Sequence, residues 1–333
     1  MSDKKHSHLP LILAVSASLI ILAVASWLLL NRQYVTDQIS VWSYKESASV
    51  KTIQDRIDFS DKGTFYFKTT QPVVANADDF NKDCPRQETG SPILGCYTAG
   101  RIYIYNITNQ QLDGIEEVTA AHEMLHAVWE RMSPSEQRHI GSLLRTQYAQ
   151  MTDADLKTRM DYYQRTEPGE FENELHSIIG TEVASINPEL ESYYKEYFQD
   201  RSKVIALHVQ YNTVFTSLTN ESNTLYESLV TLGKSIEARS NQYNTDVKQL
   251  QADIGAFNDR ADSGTFSSQG DFNRQRSALI TRSNQLEADR TSINDDIATY
   301  QSKYTRYQEL ASQIEVLNKS IDSIQDLNPA PSL

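Results

Sequence analysis

No proline interrupts the chain between Pro188 and Pro329, and apolar residues recur along most of this stretch in alternating steps of three and four. This spacing puts apolar side chains on one stripe of a helix and is typical of a coiled coil. The first set of seam residues is Val204, Leu207, Tyr211, Val214, Leu218, Leu225, Leu229, Leu232, Ile236, Tyr243, Val247, Leu250, Ile254 and Phe257. The second set is Leu279, Leu286, Ile293, Ile297, Tyr300, Tyr304, Tyr307, Ile314, Leu317, Ile321 and Ile324.

The two sets are separated by the polar segment 262–270, which is rich in glycine and serine. Two long helices joined by one such turn predict an antiparallel coiled-coil hairpin over residues 201–326, with a length of roughly 80 Å. The alternative is self-association between chains, with the segment as a local interruption. The hairpin is favoured because it closes the apolar seam within one chain.

The segment Leu9–Leu30 contains no charged residue and consists mostly of leucine, isoleucine, alanine and valine. At about 1.5 Å per residue, it can cross a hydrocarbon core about 30 Å thick. Lys4 and Lys5 precede it and Arg32 follows it, which favours a cytoplasmic tail over residues 1–8 and an extracytoplasmic remainder. The sequence therefore predicts a single-pass protein of the cell membrane.

A cleaved signal peptide is the alternative for this segment, because Ala23-Val24-Ala25 before Ser26 resembles a small-residue cleavage site. The apolar run continues from Trp27 to Leu30, which a cleaved segment would not need. A retained anchor is therefore favoured, and both interpretations export the rest of the chain.

The formal net charge is −13 at pH 7, which argues against a nucleic-acid partner, since such a protein needs a basic patch to neutralise phosphates. Cys84 and Cys96 are the only cysteines, and both lie in the exported part. In an oxidising compartment they can form a disulfide that contributes about 3 kcal/mol in the chain-entropy model. Two reduced thiols are the alternative. The disulfide is favoured because nothing nearby completes a cysteine-type zinc site.

The region between the apolar segment and the coiled coil predicts a small α+β domain that is mainly helical. Residues 31–47 lack a strong pattern and predict a stalk, and the domain spans residues 48–200. Thr64–Phe67 and Arg101–Tyr105 are rich in aromatic and β-branched residues, which predicts two strands. Ser133, with a proline after it and a glutamate three positions on, predicts a capped helix start. Residues 327–333 are expected to form a short tail.

His122-Glu123-Met124-Leu125-His126 is the motif that points to chemistry. On a helix, two histidines four residues apart lie on one face and can bind the same Zn²⁺. Glu123 can then serve as the general base for a water that the ion activates near neutral pH. An amphipathic helix with two incidental histidines is the alternative. Metal binding is favoured because the flanking residues, Thr119 to Ala121 and Ala127 to Val128, are uncharged.

The segment from Thr119 to Val128 resembles the metal-binding helix of the zincin metallopeptidases. In their gluzincin branch the third ligand is a glutamate on a later helix, within an Asn-Glu-x-x-Ser-like run. Asn173-Glu174-Leu175-His176-Ser177 resembles that run, so the resemblance implies Glu174 as the third ligand. The family often has an acidic residue four positions after this glutamate, where this chain has Ile178. The resemblance covers roughly residues 60–200.

Glu182 is the alternative third ligand, because it lies on the same predicted helix about 80° round from Glu174. His176 is a weaker alternative, at about 160° from Glu174. The resemblance also implies a strand beside the metal helix that aligns an extended peptide, and Arg101–Ile107 matches it by position. An ordinary core strand is the alternative for this segment. Tyr162, Tyr163 and His176 are open choices for the group that stabilises an oxyanion.

The function that follows is zinc-dependent hydrolysis of peptide bonds in peptide or protein substrates outside the cytoplasm. An endopeptidase is expected rather than an exopeptidase. The alternative is an envelope scaffold whose coiled coil binds a partner or self-associates, and whose metal domain is structural or inactive. The intact Glu123 argues against this alternative, because a structural metal site needs no general base.

Overall fold

A computed structural model describes residues 9–85, 92–166 and 169–324 of the chain. The expected tails, 1–8 and 327–333, and the last predicted hairpin residues, 325–326, lie outside the described residues. The described part is mainly helical, with three short strands.

The helices fall into a group of ten in the first two thirds of the chain and two much longer ones after it. The first five helices are α1 Leu9–Leu30, α2 Arg32–Ser43, α3 Ala48–Ile57, α4 Asp61–Thr69 and α5 Ala77–Asp83. The next five are α6 Ile115–Arg131, α7 Pro134–Gln150, α8 Ala154–Thr166, α9 Phe171–Glu182 and α10 Pro188–Tyr194. The long helices are α11 Arg201–Asp262 and α12 Gln269–Ile321. The strands are β1 Val73–Ala75, β2 Gly95–Thr98 and β3 Arg101–Tyr105.

Helix α1 is long and apolar enough to cross a membrane, and its window Leu13–Leu30 is not buried by any other part of the protein. Asn31 interrupts the helical backbone between α1 and α2, with φ at −110° and ψ at 25°. The two helices are therefore separate elements joined at one residue.

The described residues form two compact units. The first unit runs to Thr213 and also includes residues 319–324. It therefore extends past the domain boundary predicted at residue 200, because Val204 and Ile205 of α11 are buried in its core. Helix α6 lies at the centre of this core, with Ala120, Ala121 and Met124 fully buried. The predicted capping box at Ser133 is confirmed at the start of α7.

The sheet has the order β1-β3-β2, with β1 parallel and β2 antiparallel to β3. Gly114 starts α6 with a φ of 100°, and a Cβ there would lie 3.0 Å from the carbonyl oxygen of Leu207. A side chain at this position would thus meet both backbone strain and a steric clash. The turn at Gly114 takes the chain from the sheet into helix α6.

The strand predicted at Thr64–Phe67 is wrong, because these residues lie within helix α4. Ser60 caps this helix by accepting a hydrogen bond from the backbone N–H of Gly63 at 3.0 Å. Phe67 is fully buried and packs against Phe59, with ring centroids 5.1 Å apart. The cap and this tertiary packing override the strand preference of the aromatic residues.

The stalk predicted for residues 31–47 is instead largely helix α2, and it packs on the first unit. Asp37 of α2 is buried and binds Arg131, the last residue of α6. The apolar residues of this segment do not form a clear helical stripe, so the sequence did not predict the helix. An ion pair is one of the main contacts that anchor it.

The second unit, residues 214–318, consists of the two long helices and the turn between them. Ion pairs join Arg239 of α11 to Asp296 of α12, and Arg282 of α12 to Asp253 of α11. Leu229, Leu250, Ile293 and Leu317 of the predicted seam are buried here. Leu310, which was not assigned to the seam, is buried as well.

Arg201, the first residue of α11, caps the C-terminal end of α9. Its side chain is only 3 % exposed, and its guanidinium donates to the carbonyl oxygen of Val183 at 2.7 Å and that of Ala184 at 3.2 Å. It also pairs with Glu191 at 2.6 Å. The last carbonyls of a helix lack partners within the helix, and a cation there is favourable. Arg201 therefore holds in place the helix that carries Glu174.

We expect Arg201→Met to lower the free energy of unfolding of the first unit by about 3 kcal/mol, because it leaves buried carbonyls and Glu191 without their partner. Urea unfolding followed by tryptophan fluorescence measures this change. Arg145→Met is the matched control. Its guanidinium is 62 % exposed and binds Glu172 of the same helix, so we expect a loss under about 1 kcal/mol. Equal losses in both variants would contradict the capping role.

Candidate metal centre

Helix α6 places both histidines of the motif on one face. The ring centroids of His122 and His126 are 4.8 Å apart, and the side chains are 19 % and 11 % exposed. Four residues correspond to slightly more than one helical turn, which brings the two rings together. The Nε2 atoms of both rings lie close to the same carboxylate of helix α9.

That carboxylate belongs to Glu174, so the structure brings together three of the residues selected from the sequence. Its Oε2 lies 3.6 Å from His122 Nε2, and its Oε1 lies 3.5 Å from His126 Nε2. Burial raises the pKa of the Glu174 carboxyl, but the charges of His126 and His122 and a hydrogen bond from the Tyr163 hydroxyl outweigh it. The pKa of Glu174 is therefore lowered, and the carboxylate is the stable form.

The distances from Glu174 to the two histidines fit a shared metal ion better than they fit direct hydrogen bonds. Ligands about 2.0–2.2 Å from a shared zinc ion at the tetrahedral angle are about 3.3–3.6 Å from each other. One ligand atom from each of His122, His126 and Glu174 lies within 4.8 Å of the others. Glu174 Oε2 is buried and has no hydrogen-bond partner among the described residues. Two imidazoles and one carboxylate with a buried, unpaired oxygen fit a divalent cation such as zinc.

Asn173 orients the second histidine, a role that the sequence did not reveal. Its side-chain nitrogen donates to Glu170 at 2.8 Å, so its oxygen is the acceptor for His126 Nδ1, 2.9 Å away. With the proton on Nδ1, the Nε2 lone pair of His126 points towards Glu174 and is free to bind a metal. The orienting group therefore precedes Glu174 by one residue, whereas position 178 holds a buried isoleucine.

Glu123 lies near the candidate metal ligands His126 and Glu174, whose charges act on it, and is 7 % exposed. Burial raises the pKa of its carboxyl to about 7, and the charge of Glu174 adds to this rise. The charge of His126 and a hydrogen bond from the backbone of Tyr97 oppose it. Strand β2 thus contacts the carboxylate that the sequence selected as the general base.

Gly95 of β2 allows this close approach of strand and helix. A Cβ at this position would lie 2.5 Å from Thr119 Cγ2 and 3.0 Å from Glu123 Cγ. Any larger residue would therefore have to displace α6 or the Glu123 side chain. The sequence predicted no strand at this position, so the contact of Gly95 with Glu123 was not anticipated.

Glu182, the alternative third ligand, lies outside this group. It binds Arg159 of α8 through both oxygens, at 3.1 and 2.5 Å, and its Oε2 is 4.0 Å from His208 Nε2. Burial raises the pKa of the Glu182 carboxyl, yet the hydrogen bond and charge of Arg159 outweigh it and lower the pKa. An arginine already occupies the position that a metal ion would need.

His176, the weaker alternative, is fully buried in the core behind α6. Its Nε2 lies 2.8 Å from the Tyr193 hydroxyl, and its ring packs against Trp129 and Tyr194. Burial lowers the pKa of the His176 imidazole to about 3, so the ring is neutral. His176 is thus a core residue, and its contacts do not place it at the metal centre.

The two tyrosines proposed for oxyanion stabilisation lie on α8. Tyr163 donates to Glu174, and Tyr162 contacts the Tyr163 ring edge-on at 5.8 Å. The observed partner of Tyr163 is thus Glu174, the candidate third ligand.

The strand at Arg101–Ile107, matched by position to a substrate-aligning strand, is β3 and lies in the middle of the sheet. The core-strand alternative therefore holds for this segment. Strand β2 takes the edge position and contacts α6. Cys84 and Cys96 form a disulfide that links the end of α5 to β2.

Comparison of the chain with protein families, curated proteins and solved structures finds no match. The functional argument therefore depends on the geometry of the centre formed by His122, His126, Glu174 and Glu123.

Proposed function

We propose that the first unit is a zinc-dependent endopeptidase that resembles the gluzincin branch of the zincins. His122, His126 and Glu174 hold the ion, and Glu123 is the general base. The substrate is a peptide or protein segment. The observation that carries this proposal is the convergence of three metal-binding side chains from α6 and α9 beside the buried Glu123.

A zinc ion held by His122, His126 and Glu174 would supply Lewis acidity towards the substrate carbonyl and a water molecule. Glu123 accepts a proton from the attacking water and delivers it to the leaving amine. Asn173 keeps His126 in the tautomer that leaves Nε2 free. The short edge strand β2 aligns an extended peptide through main-chain hydrogen bonds, next to the carboxylate that its own Tyr97 backbone contacts.

Metal removal tests this function in the full chain purified in detergent. We expect about one zinc ion per chain by elemental analysis, cleavage of a casein-like substrate, and loss of cleavage after chelation. Added zinc should restore cleavage, and added magnesium should not, because the ligand set is nitrogen-rich. A protein without zinc, or cleavage unaffected by the chelator, would refute the proposal.

We infer that α11 and α12 form an antiparallel coiled-coil hairpin. Their lengths of 62 and 53 residues and the ion pairs between them support this arrangement. The same features favour a second function, an envelope scaffold that binds a partner or self-associates through the hairpin. Stoichiometric zinc without any cleavage activity would favour the scaffold over the peptidase.

We also infer that the unit lies outside the cytoplasm, anchored by α1. Lys4 and Lys5 before the apolar helix support a cytoplasmic N-terminus. The disulfide between Cys84 and Cys96 is consistent with an oxidising compartment.

A further inference from the structure

Helix α2 is fixed to the metal helix by a buried ion pair. Arg131 Nη2 and Nε lie 2.9 and 3.1 Å from the two carboxylate oxygens of Asp37, and the side chains are 8 % and 7 % exposed. Gln33 of α2 donates to the same carboxylate at 3.0 Å. A bidentate pair of this kind fixes orientation as well as distance. The segment that follows α1 is therefore a rigid part of the unit.

The opposite side of α2 carries two apolar side chains that are exposed to solvent. At about 100° per residue, Ile39 and Trp42 lie about 160° and 140° round the helix from Asp37. Ile39 is 59 % exposed and Trp42 is 89 % exposed. Arg32 lies on the same side of the helix and is also exposed. A basic residue beside exposed aromatic and aliphatic side chains is typical of a helix at a membrane interface.

We propose that this face of α2, formed by Arg32, Ile39 and Trp42, rests on the surface of the membrane that α1 crosses. Only Asn31 separates α2 from α1, and its backbone departs from helical dihedrals. Lipid is the occupant because α2 directly follows the exposed apolar end of α1, where Leu29 and Leu30 are 77 % and 86 % exposed. Tryptophan is favoured at the headgroup level, because its ring is largely apolar while its indole N–H can donate a hydrogen bond to water or to the headgroups.

The Asp37–Arg131 ion pair limits how far the candidate metal centre can lie from the end of α1. Leu30 to Asp37 spans about 10 Å of helix, and Arg131 to Glu123 spans about 12 Å. The side chains of the Asp37–Arg131 pair add at most about 13 Å. Glu123 therefore lies within about 35 Å of the end of α1, whatever the angle between the helices. Resting on the proposed peptidase function, this places the substrates among peptide segments close to the membrane surface.

Site-specific labelling of the full chain in phosphatidylcholine liposomes tests the contact. Because Cys84 and Cys96 are joined, a single introduced cysteine takes an environment-sensitive fluorophore selectively. Ile39→Cys probes the α2 face and retains Trp42, Leu30→Cys reports the end of α1, and Lys51→Cys is the control. Lys51 lies on α3 with a side chain that is 61 % exposed.

We expect lipids that carry a quencher near the headgroup to quench the probes at positions 30 and 39 several-fold more than the probe at 51. Replacement of Trp42 by serine should reduce the quenching at position 39. Quenching at 30 but not at 39 would overturn the proposal, as would protection at 39 that depends on protein concentration, which indicates a second copy. Lack of quenching at position 30 would also overturn it, because α1 would not be in the bilayer.

A cleavage experiment tests the substrate class separately. Peptides are attached to the liposomes through rigid helical spacers of about 10 or about 50 residues, which span about 15 or 75 Å. We expect faster cleavage with the short spacer. Equal rates with both spacers would refute the substrate class while leaving the peptidase intact. If soluble casein is not cleaved either, the peptidase function fails, and the quenching result still decides the membrane contact.

Discussion

Glu123→Gln is expected to retain stoichiometric zinc and to lower the rate of peptide cleavage by about 10²- to 10⁴-fold, the usual contribution of a general base. The glutamine keeps the shape of the side chain and can still accept the hydrogen bond from the Tyr97 backbone. It cannot accept a proton from water. The measurement combines elemental analysis with initial rates on a casein-like substrate, using the full chain in detergent.

The matched control is Glu189→Gln, which removes the same charge from a side chain that is 59 % exposed and pairs with His139 on the surface. We expect this variant to retain the parental rate and zinc content. A Glu123→Gln protein that cleaves as fast as the parent would show that Glu123 is not the base. Loss of zinc from Glu123→Gln would show that the residue holds the metal centre together instead.

Glu174→Gln is expected to weaken zinc binding more than any other single change in α9. It removes the negative charge of the only carboxylate that lies within 3.6 Å of both histidine Nε2 atoms among the described residues. Loss of an orienting partner costs about 10- to 100-fold in metal affinity, and loss of a direct ligand costs more. Titration with a competing chelator measures the affinity.

Two further variants in the same helix complete this series. Asn173→Ala should weaken zinc binding by about 10- to 100-fold, because His126 loses its hydrogen-bond acceptor. Glu182→Gln should leave zinc affinity unchanged, since Arg159 already holds that carboxylate. If Glu182→Gln weakens binding as much as Glu174→Gln, the assignment of the third ligand is wrong.

Features that depend on short-range periodicity could be predicted from the sequence. The spacing of His122 and His126 places them on one helical face wherever that helix packs, and the apolar run Leu9–Leu30 is long enough to span a membrane in any fold. The capping box at Ser133 is likewise set by neighbouring residues. These signals are local, so tertiary contacts did not change them.

Features that depend on partners far apart in the chain could not be predicted in the same way. The aromatic segment Thr64–Phe67 prefers a strand by composition, yet a cap at Ser60 and packing against Phe59 make it a helix. Helix α2 has no strong apolar pattern, and the residue that anchors it is Asp37, which binds the distant Arg131. Such a contact leaves no periodic signal in the sequence.

The sequence alone determined that His122 and His126 share a helical face, because their spacing of four residues defines it. The role of Glu123 as a general base stays a prediction. Only the tertiary structure distinguished Glu174 from Glu182. Both glutamates lie on α9 and both are largely buried, but Glu174 faces the two imidazoles while Glu182 meets Arg159. The physical reason is that a buried carboxylate is stable only beside a compensating positive group. The packing of α8 and α6 against α9 decides which group lies next to each glutamate.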